Sequence, residues 1–117
     1  MSYDVELIDP VSRIVIEFDS PHQIAGGTRA LGGTTEAWLN ATYNYSGIFH
    51  RVLPGGIRGL YGKTGAESIP VLEAAIAQLK DDVDPDYWKP TEGNVKRALC
   101  GLLAFAKMRP DGIWDGD

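Results

Sequence analysis

The sequence predicts an α+β domain in which a small antiparallel sheet packs with two C-terminal helices. Two observations carry that prediction. Strand-period alternation is confined to the first half of the chain. Helical spacing with capping residues is confined to the second. The 117 residues make one domain over 1–117, without a linker, repeat or low-complexity tract.

Residues 3–8 and 14–18 read as strands. Ile14, Ile16 and Phe18 alternate with Val15 and Glu17, the period of a half-buried strand. Asp9-Pro10-Val11-Ser12-Arg13 between them is turn chemistry, so an N-terminal hairpin is expected. Residues 23–33 are glycine-rich and read as a loop with a short strand. A third, long strand is expected over 36–46, continuing through Ile48 to Leu53 and ending at Pro54. It would place Ala37, Leu39, Ala41, Tyr43 and Tyr45 on one face and Trp38, Asn40, Thr42 and Asn44 on the other. In the second half, Ser68 can cap a helix with Pro70 in its first turn and a stripe of Leu72, Ala75, Ile76 and Leu79. A connector over 84–90, bounded by prolines, holds Tyr87 and Trp88. Thr91 caps the next helix, Val95, Ala98, Leu99, Leu102, Phe105 and Ala106 mark its buried face, and Pro110 stops it. Cys100 within it reads as core filler.

A hydrophobic share of 44% and a charged share of 23% fit a soluble globular domain. The net charge of −5 argues against sequence-independent nucleic-acid binding, which needs clustered cations. The single cysteine excludes an internal disulfide and fits a reducing cytoplasm. No apolar run reads as a signal peptide or a membrane span. The two histidines, His22 and His50, form no ligand pair for zinc, and His50 beside Arg51 has no matched nucleophile. No metal, cofactor or catalytic residue is therefore expected.

The stretch Gly55-Gly56-Ile57-Arg58-Gly59-Leu60-Tyr61-Gly62-Lys63-Thr64-Gly65 is the richest in chemistry. Its Gly-Lys-Thr suggests a P-loop, but that motif requires a glycine where Ile57 stands. What remains is a loop in which Arg58 offers a planar fork, Lys63 a point charge and Tyr61 and Thr64 hydroxyls to a phosphate. On the expected third strand, Trp38, Asn40 and Asn44 can meet a base or sugar. Residues 108–114 form a compact ending in which Arg109 can fix a turn or reach a ligand and Trp114 can fold back onto the core.

The segments Trp38-Leu39-Asn40-Ala41-Thr42-Tyr43-Asn44-Tyr45-Ser46, 56–70 and Met108-Arg109-Pro110-Asp111-Gly112-Ile113-Trp114-Asp115-Gly116-Asp117 form a set. Together with the hairpin, they resemble a family of small uncharacterised proteins of Gram-positive gut bacteria and their phages or mobile elements. The resemblance covers nearly the whole chain, which lacks a long insertion that some members carry before the helices. It implies a phage or mobile-element setting, where counter-defence is the expected role. The expected function is capture, without cleavage, of a small phosphorylated immune signal of nucleotide type, such as a cyclic nucleotide or an ADP-ribose derivative. A homodimer or higher homo-oligomer is expected, because so small a chain rarely encloses a ligand alone. An inhibitor of a host defence nuclease, anti-CRISPR-like, is the alternative. It would act through Tyr87, Trp88 and the Asp-rich patches. A small nucleotide hydrolase using His50 or an Asp is the third reading.

Overall fold

The computed structural model describes residues 1–22 and 33–117. The fold is α+β, as the sequence predicts. Strand β1 (Ser2–Ile8) is the centre of a three-stranded antiparallel sheet, between β4 (Trp38–Thr42) and β5 (Ile113–Gly116). Strands β2 (Glu17–His22) and β3 (Thr34–Glu36) pair as a separate ribbon. Helices α1 (Ser46–Val52), α2 (Gly65–Ala77) and α3 (Glu92–Met108) complete the chain. The core gathers Tyr3, Val5 and Leu7 of β1, Leu39 and Ala41 of β4, Trp114 of β5 and the apolar stripes of the helices. The glycine-rich loop expected over 23–33 lies, except for Gly33, outside the described residues.

The N-terminal hairpin is shorter than expected. Asp9 Oδ1 accepts from the N–H groups of Val11 and Ser12 and fixes the tip, where Arg13 sits at φ 62°. Beyond it, Ile8 and Val15 form a single bridge. Ile16 then ties two sheets together: its N–H donates to Leu7 O and its carbonyl accepts from Ala37. The strand that leaves this crossing pairs with β3, not with β1, so its extent moves from the expected 14–18 to Glu17–His22.

The long third strand stops early. Thr42 is the reason: its Oγ1 accepts from Asn44 N and starts a 3-10 turn over Tyr43–Tyr45, which runs into α1. Tyr45, Phe49, Val52 and Leu53 are all buried, which is helical spacing. Tyr43 and Tyr45 therefore do not share a strand face, and the expected continuation to Leu53 is a helix.

Helix α2 starts three residues before Ser68. Thr64 Oγ1 accepts from Glu67 N at 3.1 Å while Glu67 Oε1 accepts from Thr64 N at 2.9 Å, a reciprocal capping box. Ser68 is instead buried, its hydroxyl donating to Gly65 O. Helix α3 starts at Thr91 as expected, the hydroxyl accepting from Asn94 N. Cys100 is exposed on it and fills no core space. Thr64→Ala is expected to cost about 1 kcal/mol in urea denaturation at neutral pH. The hydrogen bonds from Thr64 hold the Glu67 carboxyl below its usual range. A depressed carboxyl contributes stability above its unfolded pKa and loses it as pH falls. The cost of Thr64→Ala should accordingly shrink at acid pH.

Strand β5 was not legible as a strand, although Trp114 does fold back onto the core, as expected. Its inner edge pairs with β1 and its outer edge with the end of the glycine loop. Trp114 N donates to Lys63 O, Gly62 N to Trp114 O and Gly65 N to Gly112 O, all at 2.8–2.9 Å. The opposite edge of the sheet, β4, is closed by one phenol. Tyr87 OH accepts from Thr42 N and donates to Asn40 O, so a side chain stands where a neighbouring strand would be.

On the outer face, Glu6 stands opposite Asp115 in the β1–β5 register. Burial first, then Asp115, Glu36 and Asp4, push the Glu6 carboxyl up. The native state then holds that proton more tightly than the unfolded chain does, so stability falls as pH rises through the glutamate range. Glu6→Gln should raise stability at pH 7 by about 0.2–1 kcal/mol, the scale of a like-charge cross-strand pair. A thermal melt should show that gain vanishing in acid. Among the described residues no helix is long and apolar enough to cross a membrane.

Candidate functional site

Between Glu36 and Glu67 the sequence has no carboxylate, while Arg51, Arg58 and Lys63 fall there. Arg51 is neutralised by Glu92 at 3.0 Å. Arg58 forms no ion pair among the described residues. It lies exposed over aromatic rings, its Cζ 5.0 Å from the Tyr3 centroid and 5.8 Å from that of Tyr43. The rings meet edge to face at 4.6 Å. Arg58 Nε donates to the Asp117 main-chain oxygen at 2.8 Å and Nη2 to Tyr43 OH at 3.2 Å. A guanidinium has five N–H donors, so among the described residues these two bonds leave three. The tyrosines are placed by the fold: Tyr3 by β1, and Tyr43 by the turn that Thr42 starts.

The cluster extends to α1. Tyr3 OH donates to Ser46 Oγ at 2.9 Å, and His50 Nδ1 lies 2.8 Å from Ser46 O. Only a protonated Nδ1 can bond a carbonyl, so the lone pair of neutral His50 is on Nε2. The nitrogen that comes 3.4 Å from Ser46 Oγ is thus the wrong one to act as its base. Ser46 and His50 do not form a nucleophile–base pair. The His50 ring instead covers Gly56, where a methyl group would fall 2.8 Å from Cε1; with φ at 70°, that position suits glycine alone.

The residues expected at a ligand are not brought together as one constellation. Asn40 is 5% exposed, its amide donating to Ser2 Oγ and Asp4 Oδ1. Trp38 Nε1 donates to Asp4 Oδ1 at 3.3 Å, and the Asn44 amide to Trp88 O at 2.9 Å. Tyr61 is half-buried, its hydroxyl 3.4 Å from Asp117 O. Burial, then Asp117, pushes that phenol up to about 12. Thr64 caps α2. Arg109 grips Asp111 through two bonds and Asp9 through one, tying the hairpin tip to the end of α3. These side chains satisfy the chain itself. Arg58 retains spare donors, and Lys63 is exposed with no ion pair among the described residues. Tyr3, Tyr43 and His50 join Arg58 only in the folded chain. Besides the glycine-rich stretch itself, the unbroken run without carboxylates from 37 to 66 is a sequence signal pointing at this region.

The glycine loop is not an open cradle. The expected start of α2 near Ser68 is overturned: α2 begins immediately after Thr64, so its N-terminus stands beside Lys63. That terminus is nevertheless filled, with Glu67 as the anion and with Gly65 N and Ala66 N donating to Gly112 O and Pro110 O. A phosphate would find those donors spent. Among the described residues, no group of His, Cys, Asp and Glu is arranged to hold a metal ion. No family model, curated protein or solved structure matches this chain.

Proposed function

We propose that this protein binds a small phosphorylated ligand of nucleotide type without cleaving it, with Arg58 as the anion contact. One observation carries the reading: Arg58 is exposed, lies over the Tyr3 and Tyr43 rings, and among the described residues keeps three N–H donors unspent. The side chain is ordered before any ligand arrives, which lowers the entropic cost of binding. Lys63 supplies a second cation, with no ion pair among the described residues, on the same carboxylate-free segment. The phage or mobile-element setting, the counter-defence role and the cytoplasm of a bacterial host come from the segment resemblance and belong to the proposal. So does a homo-oligomer that would enclose the ligand.

The test is a thermal-shift and calorimetry series with inorganic phosphate, AMP, ADP-ribose and a cyclic dinucleotide. At least one should bind, and Arg58→Ala should weaken it more than about tenfold, the scale of a charge-assisted hydrogen bond. Binding by none of them, or binding that ignores Arg58→Ala, would reject the reading.

A second reading, inhibition of a host nuclease, is favoured by one feature. Trp88 is 50% exposed on a connector with no helix or strand. That connector is held by Asn94, which accepts from Asp84 N and donates to Asp86 O and Lys89 O. A large aromatic on a rigid loop is the usual anchor of a protein interface. Co-purification with a nuclease, lost in Trp88→Ala, would favour this reading over the first.

A further inference from the structure

We propose that residues 115–117 act as an internal stopper on Arg58, so that an anion enters this site by exchange with the chain's own oxygen. The inference rests on the anion-binding reading above. Arg58 Nε, one of the two edges of the fork, is spent on Asp117 O at 2.8 Å, and Tyr61 OH points at the same oxygen. The chain thus already fills part of the site with the kind of acceptor a phosphate would offer. The Asp117 carboxylate follows that oxygen, its Oδ1 accepting from Asp4 N at 2.9 Å, and adds a negative charge that opposes an incoming anion.

This contact sits at an exposed strand end. Asp115, Gly116 and Asp117 are all exposed, beyond the buried Trp114 that anchors β5. Short exposed strand ends open locally at a small fraction of the global unfolding free energy. Gly116 lets the segment lie so close. A methyl group there would run into Asp4 O and Tyr61 OH, so Gly116→Ala should lift the stopper while leaving Arg58 and the tyrosine shelf in place.

The experiment is calorimetry with AMP and with inorganic phosphate. It uses the full chain, a chain ending at Gly116 and the full-chain Gly116→Ala variant, each checked for native circular dichroism. Removing the stopper should tighten binding about threefold or more, as expected when one competing hydrogen bond is lost. Arg58→Ala in the shortened chain should abolish the gain. Binding by the shortened chain alone would also support the stopper. Unchanged or weaker binding without Asp117, in a protein whose full chain does bind through Arg58, would overturn the stopper and leave the anion site standing. No binding by either chain would overturn both.

Discussion

Trp114→Ala is expected to remove about 3–5 kcal/mol of stability, a large part of what a domain of this size holds. Trp114 is 1% exposed and leads the fully buried side chains in volume. Its Nε1 donates to Ser68 Oγ at 2.7 Å, and the Ser68 hydroxyl in turn donates to Gly65 O. One indole therefore joins β5, the start of α2 and the core. Truncation leaves a cavity that those elements cannot close, because β5 is held on both edges. Trp114→Phe would keep most of the volume and lose the hydrogen bond, at a cost of about 1–3 kcal/mol. Urea denaturation of the two variants checks both figures. A loss below about 1 kcal/mol for Trp114→Ala would mean that the tail is not part of the core.

The second large effect lies in the glycine loop, where substitutions should separate sharply by position. In Gly59→Ala the new methyl group would land on the carbonyl oxygen of Pro54. That obstacle is backbone and cannot swing aside, so the cost should reach about 3 kcal/mol, the upper end of overpacking. Gly62→Ala meets nothing within 4 Å but must adopt a φ of 89°. It should cost about 1–2 kcal/mol from backbone strain alone. Gly47→Ala, in α1 with open space and ordinary φ, should be stabilising by about 0.5–1 kcal/mol. A flexible connector would tolerate Gly59→Ala and Gly62→Ala alike, and equal thermal melts for those two variants would contradict the packed loop.

The α+β class was legible because two local signals are strong. Apolar alternation at Tyr3, Val5 and Leu7 marks β1, and the cap at Thr91 with its apolar stripe marks α3. The break after Thr42 was hidden because the run from Trp38 to Tyr45 alternates well enough to pass for a strand. It ends there because the Thr42 hydroxyl turns back on Asn44 N, a choice that alternation does not encode. The start of α2 was misplaced for a related reason. Thr64 and Glu67 spell a capping box, but the glycine and lysine around Thr64 draw attention to phosphate binding instead.

The candidate site was less legible than the fold. Arg58 and Lys63 stood out by composition, yet their neighbours come from distant segments: Tyr3 from β1, Tyr43 from the turn after β4, and Asp117 from the end of β5. Asn40 looked available because its partners, Ser2 and Asp4, lie far away in sequence, and Arg109 because one of its two partners, Asp9, does. Segments 56–70 and 108–117, which stand out as sequence, prove to be one paired unit. Trp114 N donates to Lys63 O and Trp114 O accepts from Gly62 N, and Gly65 packs on Arg109 O and Pro110. Gly59 and Gly65 serve close backbone approach and Gly62 a positive φ, and the N–H groups of Gly62 and Gly65 are spent on Trp114 O and Gly112 O, so this Gly-Lys-Thr is built into a paired strand edge.

Amide hydrogen exchange under native conditions tests that central claim most directly. The N–H groups of Gly62, Gly65, Ala66 and Trp114 are bonded to Trp114 O, Gly112 O, Pro110 O and Lys63 O. They should exchange slowly, within about tenfold of the core amides of β1, with or without phosphate. Exchange of these amides at free-loop rates, slowed only when phosphate is added, would contradict the paired loop and restore the phosphate cradle.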